Sequence, residues 1–132
     1  MGLGDAALIK DNHILSAGGV AEAVAAVRAA SPNLPLEVEC DSLDQVKVAV
    51  ACDVALVLLD NMDVERLREV VEFVREGRHQ TRLEASGGLT LDTVRAVAET
   101  GVDYVAVGAL THSAPALDLG LDLTDILGKV SA

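Results

Sequence analysis

Short apolar runs alternate with longer segments of helical period along this chain. In the longer segments the apolar residues recur three and four positions apart, which is typical of amphipathic helices, whereas the short runs have the length of strands. The helical segments are residues 20–30, 43–51, 64–75 and 91–100, and the apolar runs are residues 7–10, 36–40, 54–59, 82–85 and 104–107. Because strands and helices alternate at this spacing, the pattern predicts βαβ units and a parallel sheet.

Two α/β architectures agree with this alternation. The repeat is about 25 residues long, which is close to the share of one unit in an eight-unit barrel of roughly 250 residues. The chain therefore holds about five units, enough for a small doubly wound sheet or for part of a (β/α) barrel. The run 54–59 is apolar at every position, as expected of a strand that is buried on both faces of a parallel sheet.

The residues that follow the apolar runs are the candidates for chemistry, because α/β proteins bind ligands beyond the carboxyl ends of their strands. Each run ends in polar residues or glycine, namely Lys10-Asp-Asn-His13, Glu39, Asp60-Asn61, Glu84-Ala-Ser-Gly-Gly88 and Gly108-Ala-Leu-Thr-His112. Surface charges placed independently would not fall at the same end of successive strands. The pattern therefore indicates a ligand site along this edge of the sheet.

Two of these strand ends are rich in glycine. Gly87 and Gly88 stand between a strand and the start of a helical segment, and Gly108 follows the next strand. Glycine lets the backbone approach a ligand closely, and a helix N-terminus offers free N–H donors to a phosphate. A phosphate held between the last two loops is typical of phosphate-binding barrels. The alternative for Gly87 and Gly88 is a tight turn with a purely structural role.

Several motifs occur in an order that resembles one enzyme family, and the resemblance runs from about Gly2 to Leu123. They are Leu8-Ile-Lys-Asp-Asn-His13, Leu36-Glu-Val-Glu39, Leu59-Asp-Asn61, Leu83-Glu-Ala-Ser-Gly-Gly88, Thr100-Gly-Val-Asp103, Val107-Gly-Ala-Leu-Thr-His-Ser113 and Asp118-Leu-Gly-Leu-Asp-Leu123. The set resembles quinolinate phosphoribosyltransferase, the carboxylating nicotinate-nucleotide pyrophosphorylase of NAD biosynthesis. As a set these motifs are highly specific, whereas Ser-Gly-Gly alone would be a weak signal.

The resemblance implies a reaction and a role for each matching residue. Quinolinate and 5-phosphoribosyl 1-diphosphate would give nicotinate mononucleotide, diphosphate and carbon dioxide, with Mg²⁺ as the cofactor. Lys10, Glu39 and Asp60 would be the catalytic residues. Lys10 would bind a substrate anion, and Glu39 and Asp60 would lie beside the ribose and its magnesium-bound diphosphate, contacting the metal directly or through water. Glu84 matches the family without an evident role. The substrate 5-phosphate would be held by residues of the two glycine loops, which are Ser86, Gly87, Gly88, Gly108, Ala109, Leu110 and Thr111.

Composition excludes other classes of partner. The chain has 10 Lys and Arg against 21 Asp and Glu, a formal net charge of -11, so the basic face that nucleic-acid binding requires is missing. No run of roughly 18 apolar residues that could span a membrane is present. No basic region leads into an apolar stretch at the N-terminus, and Cys40 and Cys52 lack the spacing of metal ligands. A cytoplasmic protein with reduced thiols is expected.

The sequence also departs from the family. An N-terminal sandwich domain, and early barrel strands with a Thr-Arg-Lys motif and a His-Arg pair, have no counterpart in residues 1–132. Lys10 is then the one cation at the strand ends, too little to neutralise two highly anionic substrates in a dry pocket. We therefore expect the chain to correspond to the C-terminal part of the barrel and to be inactive alone. Unpaired sheet edges predict a homo-oligomer, a dimer or larger.

Two other functions remain open from the sequence. A related phosphoribosyltransferase could act on a different acid, since most cations that bind carboxylates lie outside the matching residues. The chain could also be a non-catalytic phosphate-binding or assembly module. Binding of quinolinate against nicotinate would distinguish the first, and phosphate binding without turnover would identify the second.

Overall fold

Strands and helices alternate along the part of the chain that the computed structural model describes, residues 4–117 and 119–123. In chain order the elements are β1 (Ala7–Ile9), α1 (Asp11–Ala17), α2 (Val20–Ala30), β2 (Leu36–Cys40), α3 (Leu43–Ala51), β3 (Leu56–Asp60), α4 (Val64–Glu76), β4 (Arg82–Ser86), α5 (Val94–Ala98), β5 (Tyr104–Val105) and a short 3₁₀ turn (Gly108–Leu110). The predicted alternation is therefore confirmed. None of these helices is long and apolar enough to cross a membrane. Asp118, the first residue of the last matching motif, lies outside the described residues.

Strand order decides between the two architectures that the hydrophobic pattern left open, of which the family resemblance implied the barrel. The sheet has five strands in the order β1-β2-β3-β4-β5, and each strand is parallel to its neighbours. A doubly wound sheet reverses its strand order at a switch point, and this sheet has no reversal. Since parallel crossovers are right-handed, an order that never reverses puts all the helices on one face. The fold is α/β and forms part of a (β/α) barrel.

The two faces of the sheet differ in burial. On the face covered by helices, Val38, Val57 and Leu83 are completely buried. On the opposite face, Leu56 and Leu58 are only half-buried. The prediction that the run 54–59 is buried on both faces was therefore wrong, because the described helices cover one face of the sheet. The half-buried face corresponds to the interior of the barrel, and we call it the inner face.

Helix α1 was not predicted from the sequence. None of its residues is buried, and its seven residues are too few to show the repeating apolar positions of an amphipathic helix. The seven-residue helix starts where the backbone N–H of Lys10 donates to Nδ1 of His13, at 3.0 Å. It ends at Gly18, whose φ of 94° is left-handed. Local hydrogen bonds thus define a helix that periodicity could not reveal.

Helix α5 is shorter than the predicted segment 91–100. The backbone N–H of Thr90 donates to Oγ1 of Thr93 at 3.0 Å, and the residues between them form a turn. Such local bonds from threonine hydroxyls compete with helix formation. The helix therefore begins at Val94, four residues after Thr90.

Asp103 joins α4 to the sheet, and replacing it tests that connection. Its Oδ2 accepts from Nη2 of Arg75 at 2.8 Å and from the backbone N–H of Leu83 at 2.7 Å. Burial alone raises the pKa of Asp103, but the bonds from Arg75 and Leu83 outweigh burial and the pKa is lowered. Asp103→Asn should cost about 1–2 kcal/mol of unfolding free energy at pH 7, measured by urea denaturation.

The same carboxylate gives a signed pH dependence. Because the pKa of Asp103 is lower when folded, its stabilisation is complete above about pH 4 and is lost as pH falls through the folded pKa. The acid limb of the wild-type stability curve should therefore be steeper than that of Asp103→Asn. Asp44→Asn, which removes an exposed pair with Lys47, should leave both quantities nearly unchanged. Parallel acid limbs for wild type and Asp103→Asn would contradict this role.

Candidate active site

Lys10 and Glu39 meet at the carboxyl end of the first two strands. Lys10 directly follows β1, and its Nζ lies 3.5 Å from Oε2 of Glu39. The Lys10 side chain is 56% exposed and that of Glu39 only 15%. Within the described residues, Oε2 of Glu39 is buried and has no hydrogen-bond donor of good geometry. The pair therefore combines an accessible ammonium with a largely buried carboxylate.

Asp60 lies two strands from Lys10, at the end of β3. The strand register places it opposite Ser86 of β4. Nδ2 of Asn61 donates to Oδ2 of Asp60 at 2.9 Å, and the backbone N–H of Asn61 donates to the Ser86 carbonyl at 3.0 Å. Asn61 thus connects the Asp60 carboxylate to the strand that leads into the glycine loop.

The first glycine loop uses its two glycines differently. Gly87 has a φ of 91° and Gly88 a φ of 61°, both left-handed values that side chains disfavour. A Cβ on Gly87 would overlap the Asn61 side chain and come within 2.8 Å of the Asn61 backbone nitrogen. A Cβ on Gly88 would meet nothing within 4 Å. Gly87 is therefore required for close packing on β3, and Gly88 leaves open space.

The two glycine loops enclose a cavity of about 510 Å³. It is lined by Ser86, Gly87, Gly88, Leu89 and Thr90 from one loop and by Ala106, Gly108, Ala109 and His112 from the next. Five of the seven residues predicted to hold the 5-phosphate are thus brought together. Leu110 is 80% exposed and, like Thr111, does not line the cavity. His112 was left out of the predicted site, although it belongs to one of the matching motifs.

The inner face carries more carboxylates than the two predicted to be catalytic, Glu39 and Asp60. Glu84 is opposite Leu58, which in turn is opposite Glu39. Burial, followed by the charges of Glu84 and Glu39, raises the pKa of Glu37. Oε1 of Glu37 is buried and has no hydrogen-bond partner among the described residues. This crowding means that the inner face favours a bound proton or a cation.

The described residues could hold a magnesium ion only together with oxygens of a bound substrate. They contain no group of three or more His, Cys, Asp or Glu side chains arranged to hold a metal. Mg²⁺, however, is commonly bound through one or two carboxylates together with substrate phosphates. Glu39 and Asp60 are two carboxylates of that kind, at the edge of the sheet that bears the cavity between the glycine loops.

Comparison with known proteins identifies the family of this chain. Residues 1–122 match the family model described as quinolinate phosphoribosyl transferase, C-terminal domain. The chain belongs to the quinolinate phosphoribosyl transferase family. The resemblance stated from the sequence motifs is therefore confirmed.

Relatives in this family are similar over nearly the whole of this chain. A nicotinate-nucleotide pyrophosphorylase [carboxylating] of Mycobacterium leprae is 54% identical over 93% of the chain and 43% of its own length. The Homo sapiens protein of that name is 42% identical over 92% of the chain and 41% of its own length. The structure of the Francisella tularensis nicotinate-nucleotide pyrophosphorylase superposes with a TM-score of 0.77 at 42% identity, covering 83% of this chain and 38% of that one. The chain thus spans about two-fifths of these relatives.

Proposed function

We propose that the chain supplies the phosphate-binding and carboxylate part of a carboxylating nicotinate-nucleotide pyrophosphorylase. The reaction joins the phosphoribosyl group of 5-phosphoribosyl 1-diphosphate to the ring nitrogen of quinolinate and releases diphosphate and carbon dioxide. The observation that carries the proposal is one strand edge that holds the Lys10–Glu39 pair, Asp60 and the cavity between the glycine loops. That edge then offers a residue of suitable chemistry to one carboxylate of quinolinate, to the ribose with its diphosphate and to the 5-phosphate.

Substrate binding divides between the two ends of this edge. Lys10 has N–H donors beyond its contact with Glu39, and its exposed ammonium suits a carboxylate of quinolinate. At the other end, backbone N–H groups around Gly87, Gly88 and Gly108 suit the 5-phosphate, since nests of such groups bind anions. The separation of the two anion sites would orient the ribose between them.

Glu39 and Asp60 would act on the charge that develops as the glycosidic bond breaks. The ribosyl carbon becomes oxocarbenium-like, and fixed carboxylates beside it stabilise positive charge without reorganising. When bound, Mg²⁺ neutralises the leaving diphosphate, and Glu39 and Asp60 would be its protein ligands, directly or through water. After transfer, the cationic ring nitrogen can delocalise the electron pair left when carbon dioxide departs. No covalent nucleophile is needed.

Turnover by mass spectrometry tests the proposed function. The chain would be mixed with quinolinate, 5-phosphoribosyl 1-diphosphate and Mg²⁺, with and without a separately made portion of the Mycobacterium leprae relative outside the matched 124 residues. We expect nicotinate mononucleotide only with that portion, because Lys10 alone cannot neutralise both substrates. Lys10→Ala and Asp60→Asn should each lower the rate about tenfold or more.

The controls separate this proposal from its alternatives. Lys47→Ala removes a cation that pairs with Asp44 on an exposed face of α3, so it should leave the rate unchanged. Product from the chain alone would show that the argument from missing cations is wrong. Phosphate binding without product in either mixture would favour the non-catalytic module, and turnover of a different acid would favour the related transferase.

The two edges of the sheet bear on the assembly of the chain. Within the described residues β1 and β5 each have one neighbouring strand, and unpaired edges favour association. We therefore expect a homo-oligomer, which sedimentation would detect.

The two cysteines bear on the location of the protein. Cys40 is buried, Cys52 is half-buried, and neither forms a disulfide, which suits a reducing compartment such as the cytoplasm. Glu84 remains without an assigned step.

A further inference from the structure

Asn61 makes three contacts that no step of the proposed reaction uses. Its side-chain amide donates to Oδ2 of Asp60 at 2.9 Å. Its backbone N–H donates to the Ser86 carbonyl at 3.0 Å. Its side chain also occupies the space into which a Cβ on Gly87 would point. Asn61 therefore contacts both Asp60, a candidate carboxylate for binding magnesium, and the first glycine loop.

The backbone of Asn61 is in an uncommon conformation. Its φ is 52°, one of three left-handed non-glycine residues among those described. Such a conformation costs free energy for most residues, but asparagine adopts it more readily than others. The left-handed turn immediately follows β3, and there the amide of Asn61 reaches back to Asp60 while its N–H reaches across to β4. The turn and the two hydrogen bonds are thus one arrangement.

We infer that Asn61 is a positioning residue, which fixes one rotamer of Asp60 and holds that carboxylate in place beside the first glycine loop. This inference rests on the proposed function, in which Asp60 binds the magnesium-bound diphosphate. Carboxylates that bind metals are commonly oriented by a hydrogen-bond donor in this way, and loss of such a donor typically weakens metal binding 10- to 100-fold. Nδ2 of Asn61 supplies the donor, and it bonds to Oδ2, so Oδ1 is left for the ligand.

Asn61→Gly is the sharpest variant, because glycine accepts a φ of 52° and loses only the side chain. The first measurement needs no ligand: three-bond NMR couplings to the Asp60 carboxyl carbon report its χ1 rotamer. We expect one rotamer in the wild-type chain and averaging among rotamers in Asn61→Gly. Asn33→Gly, the same change in the exposed loop before β2, should leave the Asp60 couplings unchanged. A single Asp60 rotamer in Asn61→Gly would overturn the inference.

The second measurement links the rotamer to binding. Calorimetric titration with magnesium diphosphate should give an affinity about tenfold weaker for Asn61→Gly than for wild type and Asn33→Gly. The urea midpoint should be close to that of wild type, which separates positioning from loss of structure. Equal affinities for wild type and Asn61→Gly would contradict the inference. If the wild-type chain binds no magnesium diphosphate, the proposed function loses support, while the Asp60 couplings still decide the role of Asn61.

Discussion

Gly87→Ala is expected to destabilise the chain by about 3 kcal/mol and to weaken inorganic phosphate binding about 10- to 100-fold. A side chain at a φ of 91° strains the backbone by about 1–3 kcal/mol. The new Cβ must also displace Asn61, whose backbone nitrogen would lie at 2.8 Å, and such overpacking costs about 1–3 kcal/mol more. When the loop moves, its N–H groups no longer point at the phosphate. Each charge-assisted hydrogen bond that is lost removes about 1.5–3 kcal/mol of binding free energy.

Gly88→Ala is the matched control for this prediction. It introduces the same methyl group one residue later, where φ is 61° and a Cβ meets nothing within 4 Å. Only the backbone preference is then lost, so about 1 kcal/mol of stability should disappear. Urea denaturation gives the two stabilities, and calorimetric titration with inorganic phosphate gives the two affinities. Equal losses for the two variants would show that contact with Asn61 is unimportant for the loop.

Leu59→Ala is expected to lower the free energy of unfolding by about 2–5 kcal/mol. Leu59 is completely buried on the face of β3 that the helices cover. Truncation leaves a cavity there that surrounding side chains fill only partly, because protein interiors are closely packed. In a domain whose whole stability is about 5–15 kcal/mol, this change removes a large share. Urea denaturation of the chain measures the loss.

Leu58→Ala, one residue earlier on the same strand, is the control. Leu58 is half-buried on the inner face, so removing the same atoms should cost about 1 kcal/mol. A large difference between the two variants is the direct consequence of helices on one face only. If Leu58→Ala costs as much as Leu59→Ala, the inner face is covered in solution by another polypeptide, and the same measurement at several concentrations would reveal that association.

The negative charge of the chain has a local counterpart in the site. Glu37, Glu39 and Glu84 share the inner face. Among the described residues, one buried oxygen of Glu37 and one of Glu39 form no hydrogen bond. The raised pKa of Glu37, caused first by burial and then by Glu84 and Glu39, shows that this face resists further negative charge. Lys10, which pairs with Glu39, offsets part of this negative charge.

The amino-acid sequence by itself determined the α/β class, most element positions and the edge on which the candidate residues lie. Helix α2 and helix α3 have the predicted bounds, because their buried residues repeat at helical spacing, and β2 has the predicted bounds as well. The motifs also identified the family, because specific residues in a fixed order distinguish one family from another, whereas periodicity indicates only the type of secondary structure. By contrast, the existence of α1 and the late start of α5 depend on local hydrogen bonds, which the spacing of apolar residues does not reveal.

Only the tertiary structure decided how these elements are arranged. Strand order, which separates part of a barrel from a doubly wound sheet, depends on pairing between distant segments and has no signature in local hydrophobic pattern. The half-buried inner face follows from that order, as helices that lie on one side leave the other uncovered. The role of Asn61 depends on β3 and β4 being neighbours, which brings Ser86 and Gly87 against a residue 25 positions earlier than Ser86. Contacts between segments that are far apart in the chain form only when the whole sheet forms, and for that reason the sequence alone could not reveal them.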